Sequence, residues 1–114
     1  ELVFLTALEA AGVDVWDISC WRQSRRPSFG TELLLPDWVQ RFSQKPRIVA
    51  GSILTPEEAE AYITEGHSEA VAVARALIVD AAWANKAREG RSAEIRPVNG
   101  DDWRVIDQGA DPGI

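Results

Sequence analysis

A chain of 114 residues, 46% hydrophobic and 26% charged, carries enough apolar side chain for one folded domain, which argues against disorder. Its net charge of −6 argues against general binding to nucleic acid or to an anionic membrane surface, since both need a basic face. No apolar run approaches the roughly 20 residues of a membrane helix, a single Cys20 rules out an internal disulfide, and no Cys/His cluster has metal-ligand spacing. The expectation is a chain of the reducing cytoplasm with no metal. It contains no Met and opens at Glu1 inside a helical pattern, so it reads as a segment of a longer protein.

Leu2, Leu5, Leu8 and Ala11 fall at helical spacing, and Gly12 is placed to end that helix. Val13-Asp14-Val15-Trp16-Asp17-Ile18 alternates apolar and acidic residues, predicting a strand with unlike faces. The stretch from Ser19 to Gly30 is polar and without period, and reads as a functional loop on a rigid scaffold. A short helix is predicted from Pro36 to about Gln44, with Trp38, Val39 and Phe42 inward. Arg47–Ala50 is a short apolar strand. Thr55-Pro56-Glu57-Glu58 then supplies a cap, a first-turn proline and acids for a helix that Gly66 ends. Ala70–Val73 is a third strand, Ala76 to Ile78 a helical turn, and Asp80 is placed to cap a last helix ending at Gly90. Past that point Pro97, Gly100, Gly109, Pro112 and Gly113 break up a polar tail.

Strands alternating with helices predict a parallel sheet with crossover helices. Ligands of such sheets sit at the carboxyl ends of the strands. Two successive strands that run out into Gly51-Ser52 and Ala74-Arg75 therefore make a candidate site for a phosphate group. Backbone N–H donors there favour an anion and Arg75 adds a fixed positive charge. The plainer alternatives are a strand-to-helix turn that needs small residues at Gly51 and Ser52, and a surface ion pair for Arg75. A complete eight-stranded barrel needs about 250 residues, so three strand–helix units correspond to its last three.

The runs Ala11–Ser19, Ile48–Glu60 and Val71–Asp80, with Lys86-Ala87-Arg88-Glu89-Gly90 after them, together resemble the old yellow enzyme family. The resemblance covers residues 2 to 91 and matches the sixth, seventh and eighth strands of a (β/α)8 barrel. It implies an α/β fold that is a partial TIM barrel over residues 1–91, with an irregular carboxyl-terminal tail over 92–114. It also implies an FMN-dependent NAD(P)H oxidoreductase of ene-reductase type, acting on a small-molecule substrate. By position, Gly51 and Ser52 after one strand, and Ala74 and Arg75 after the next, are implied to hold the FMN phosphate. Ala74 departs from the glycine usual there, and a positive φ at Ala74 would cost about 1 kcal/mol or more. The family's catalytic groups lie on earlier strands, so no catalytic residue is assigned and the segment alone is expected to be inactive.

Two other functions compete: a different phosphate-binding barrel enzyme, a lyase or isomerase, and an inert barrel fragment that self-associates. Three barrel strands leave two open edges, so a homo-oligomer or association with the rest of the barrel is expected. Several residues carry paired alternatives. Arg22, Arg25 and Arg26 either steer an anionic nucleotide or acyl carrier, or form a solvated loop paired with acids. Trp16, Trp38 and Trp83 read as core or interface anchors rather than flavin-stacking groups. Trp21 overhangs the active-site face of that reading. Cys20 reads as a small half-buried side chain rather than a redox group. Asp14 and Asp17 read as hydrogen-bonded near the strand ends rather than as an acid–base pair, and His67 as structural or exposed.

Overall fold

The computed structural model of the chain describes residues 2–19 and 31–99. Three strands, β1 (Trp16–Ser19), β2 (Arg47–Ala50) and β3 (Ala70–Ala72), form one parallel sheet in the order β1-β2-β3. The helices are α1 (Leu2–Ala10), α2 (Leu35–Gln40), α3 (Pro56–Thr64), α4 (Arg75–Val79) and α5 (Trp83–Arg88), followed by a 3-10 turn at Ser92–Glu94. Each strand is thus followed by helix in the expected alternation.

The register explains where the core sits. Ile18 pairs with Val49 and Val49 with Val71, making one row across all three strands. Ile18 and Val49 are buried in the core cluster and Val71 packs against it, alongside Trp16, Val39, Ile53, Ala59, Tyr62, Ala76 and Trp83. Because side chains alternate along a strand, the rows Asp17–Ile48–Ala70 and Ser19–Ala50–Ala72 fall on the opposite face. None of those six residues is buried. Among the described residues, the helices therefore pack on the face that carries Ile18, Val49 and Val71.

The element ends follow local chemistry. β1 begins at Trp16 rather than Val13, because Trp16 N–H donates to the Pro46 carbonyl at 2.8 Å and Pro46 has no N–H with which to extend the ladder. α2 stops at Gln40, short of Gln44, since Arg41 and Phe42 tighten into three-residue-back bonds to Trp38 and Val39. α3 starts with a complete capping box: Thr55 accepts from Glu58 N–H and the Glu58 carboxylate accepts from Thr55 N–H. It ends at Gly66, whose φ of +80° a side-chain-bearing residue rarely adopts.

Leu5 and Leu8 of α1 pack on the core, whereas Val3 and Phe4 are exposed. Trp16 and Trp83 are core residues as expected. Trp38 is half-buried at the rim, its indole N–H donating to Thr31 Oγ1 at 3.2 Å and its ring under the Arg41 guanidinium. Ile95 and Val98 pack against the core from beyond the 3-10 turn. Among the described residues no helix is long and apolar enough to cross a membrane, and no cluster of His, Cys, Asp and Glu could hold a metal ion. Cys20, Trp21 and the three arginines of the polar loop lie outside the described residues.

Candidate functional site

Because β2 and β3 are adjacent and parallel, the residues that follow them emerge at the same edge of the sheet. After β2 the backbone turns left-handed at two successive positions, Gly51 at φ +138° and Ser52 at φ +51°. Ser52 is the one non-glycine residue with positive φ among those described, a conformation that costs of order 1 kcal/mol or more and tends to persist at functional sites. After β3 the chain passes Ala74 into α4, whose first residue is Arg75. The Arg75 guanidinium donates from Nη2 to Ser52 Oγ at 3.0 Å. Two of the four residues singled out from the sequence are thereby joined side chain to side chain across 23 positions. Both are half-buried.

Ala74 adopts φ −118°, so no left-handed backbone is asked of it and the anticipated cost does not arise. The helix start just downstream is already occupied. Leu54 and Thr55 N–H groups both donate to the Glu58 carboxylate, at 2.8 and 3.1 Å. Among the described residues, this edge carries the Gly51–Ser52 corner, the Ser52 hydroxyl and the Arg75 guanidinium. A guanidinium and a hydroxyl within hydrogen-bond distance, beside a left-handed corner, form a donor set that fits a phosphate ester.

The two loops are braced from behind. Trp83 donates its indole N–H to the Leu54 carbonyl at 2.9 Å. Asp80 accepts from Ala82 N–H at 3.0 Å, Arg96 N–H at 2.9 Å and Lys86 Nζ at 2.7 Å. It thus organises the turn before α5, two residues ahead of that helix's cap at Ala82. The Lys86 hydrogen bond, followed by that from Arg96 N–H, holds its carboxyl below the ordinary aspartate value.

The opposite, amino edge of the sheet carries a different cluster. Arg47 is buried at 2% exposure. It donates to the Pro36 carbonyl at 3.2 Å, to the Gly66 carbonyl at 3.1 Å and to both Glu69 carboxylate oxygens at 3.0 and 3.3 Å. This pairing holds the Glu69 carboxyl below its usual value. Beside it His67 Nδ1 lies 2.8 Å from Asp37 Oδ1, and Nε2 lies 3.3 Å from Glu65 Oε2. These groups line a shallow depression of about 480 Å³ with Leu33, Gln40, Arg41 and Gly66. His67 is thus half-buried and engaged, on the edge away from Ser52 and Arg75. Asp14 and Asp17 are exposed.

The arrangement is that of a parallel α/β sheet with Ser52 and Arg75 joined at the carboxyl edge and a charged clamp at the amino edge. No known family profile matches the chain. It is 38% identical over 97 residues to an NADH oxidase of Thermoanaerobacter brockii, spanning 78% of this chain and 15% of that protein. It is 30% identical over 112 residues to a metal reductase of Desulforamulus reducens, 92% of this chain and 17% of that protein. Against a bilirubin reductase of Clostridium symbiosum it is 30% identical over 106 residues, 82% of this chain and 28% of that protein. The chain therefore matches oxidases and reductases but spans well under a third of each of these relatives.

Proposed function

We propose that this chain is the carboxyl-terminal FMN-binding portion of an NAD(P)H-dependent flavin oxidoreductase, and that it anchors the FMN phosphate. The observation that carries the reading is the 3.0 Å hydrogen bond from Arg75 to Ser52, which draws the ends of two adjacent parallel strands into one donor set. The similarity to proteins named NADH oxidase, metal reductase and bilirubin reductase supports a redox role with a nicotinamide reductant. The second face of the sheet supports the barrel. Parallel sheets in α/β proteins are covered on both faces, and here none of the six residues paired on the second face is buried; further strands closing a (β/α)8 barrel would cover it and pair both sheet edges.

In this reading Gly51 and Ser52 present backbone N–H groups to the phosphate, Ser52 adds a hydroxyl donor, Arg75 neutralises charge, and Ala74 brings the chain into α4. FMN, when bound, supplies the hydride relay between the nicotinamide and an activated acceptor. The chain's own share is binding and orientation.

The test compares FMN with riboflavin, which lacks the phosphate, by flavin fluorescence titration of the chain and of Arg75→Ala. A charge-assisted hydrogen bond is worth about 1.5–3 kcal/mol. FMN should therefore bind at least about tenfold tighter than riboflavin, and Arg75→Ala should erase most of that preference. Equal affinity for the two flavins in the unaltered chain refutes the reading.

A further inference from the structure

We propose that Trp83 is a positioning residue for the phosphate corner: its indole N–H, on the Leu54 carbonyl, sets the β2–α3 loop so that Ser52 faces Arg75. The inference rests on the reading of that corner as a phosphate site. The loop runs over residues 51–55, and its anchors divide into two kinds. The bonds from Leu54 and Thr55 N–H to Glu58 are local and come with the α3 capping box. They place the start of α3 but do not relate it to α4.

The bond from Trp83 is different in kind. It reaches across 29 positions from α5, and α5 follows directly on the helix that carries Arg75. Trp83 is 7% exposed and sits in the core, so its ring has little freedom to drift. Its backbone N–H donates to the Asp80 carbonyl at 3.0 Å, and Asp80 N–H donates to the Ala76 carbonyl at 2.9 Å, which ties the start of α5 to α4. The two halves of the corner are therefore linked twice, once at its mouth by Arg75 and Ser52 and once behind it by Trp83 and Leu54. Leu54 is two residues from Ser52, whose left-handed φ of +51° holds only where surrounding structure over-determines it. The indole bond supplies that determination from outside the loop. Trp83 touches no ligand in this scheme. It acts through the loop.

Trp83→Phe keeps an aromatic ring in the core and removes only the N–H. In the folded variant FMN should bind about fivefold more weakly, the size of one neutral hydrogen bond, while riboflavin affinity stays unchanged, because the loss falls on the phosphate contacts. Amide NMR of the unaltered chain gives a second readout that needs no variant. Adding inorganic phosphate should shift the Trp83 indole N–H signal together with the Gly51 and Ser52 amides, since coupling between the two is reciprocal. Unchanged FMN affinity in Trp83→Phe, an equal loss for both flavins, or a Trp83 indole signal that stays still while the Gly51 and Ser52 amides move overturns the inference and leaves the phosphate site standing. An unaltered chain that neither prefers FMN to riboflavin nor responds to inorganic phosphate overturns both. Should the variant fail to fold, the indole signal of the unaltered chain decides.

Discussion

Replacing Arg47 by methionine removes a buried guanidinium that joins two backbone carbonyls and one carboxylate, and the cost can be worked out group by group. The Pro36 and Gly66 carbonyls each lose a donor; the buried Pro36 carbonyl costs about 1–3 kcal/mol when a partner is lost, whereas exposed Gly66 turns to water. Glu69 has a side chain 52% exposed, so it rehydrates and adds little. Relief from burying a charge offsets part of the total. The net expectation is a loss of about 1–2 kcal/mol in urea unfolding, followed by tryptophan fluorescence. Glu69→Gln keeps the shape and weakens the pairing, and after allowance for its exposure should cost about 1 kcal/mol. The double variant should be less destabilised than the sum, because the two residues share one set of bonds. The pairing also fixes a pH dependence. Arg47 holds the folded-state Glu69 carboxyl below its ordinary value of 4.5. Its stabilisation is thus complete above the unfolded pKa and fades as pH falls through the lower, folded one. The gap between the parent and Glu69→Gln should stay constant from pH 7 to pH 5 and close below about pH 4.5. An Arg47→Met variant as stable as its parent, or a double-variant cycle with no coupling, would show that the clamp carries no net stability.

Thr55→Ala removes the side-chain acceptor of the α3 capping box and should lower stability by about 1 kcal/mol in the same assay; a neutral result would mean that Glu58 alone caps the helix. Ser68 is 3% exposed, and its hydroxyl has no hydrogen-bond partner among the described residues. Ser68→Ala should therefore be neutral or raise stability by up to about 1 kcal/mol, and a clear loss would reveal an unseen partner.

Much of the architecture was legible residue by residue because its causes are local. The Thr55–Glu58 box, the apolar run Arg47–Ala50 and the glycine after α3 act over a turn or less, and each lies where the pattern put it. The same reasoning misplaced the start of β1, because ladder length depends on what lies opposite, and that is Pro46. It also turned Trp38 inward as a core or interface anchor, whereas Trp38 is half-buried at the rim against Thr31 and Arg41.

The site divides along the same line. Small residues and an arginine after two successive strands could be placed together from the sequence, since strand direction alone puts both at one edge. That Ser52 turns left-handed and meets Arg75 at 3.0 Å, with Trp83 bracing the loop from behind, depends on contacts 23 and 29 positions apart. Arg47 offered only a faint signal, a charge opening an apolar strand, and its four acceptor atoms come from Pro36, Gly66 and Glu69. Periodicity and caps report short-range backbone preference, whereas these partners are chosen by how strands and helices stack. The sequence alone determined which segments become strand or helix and which residues follow two strands at one edge. Only the tertiary structure decided which side chains meet there, because that follows from packing between elements far apart in the chain.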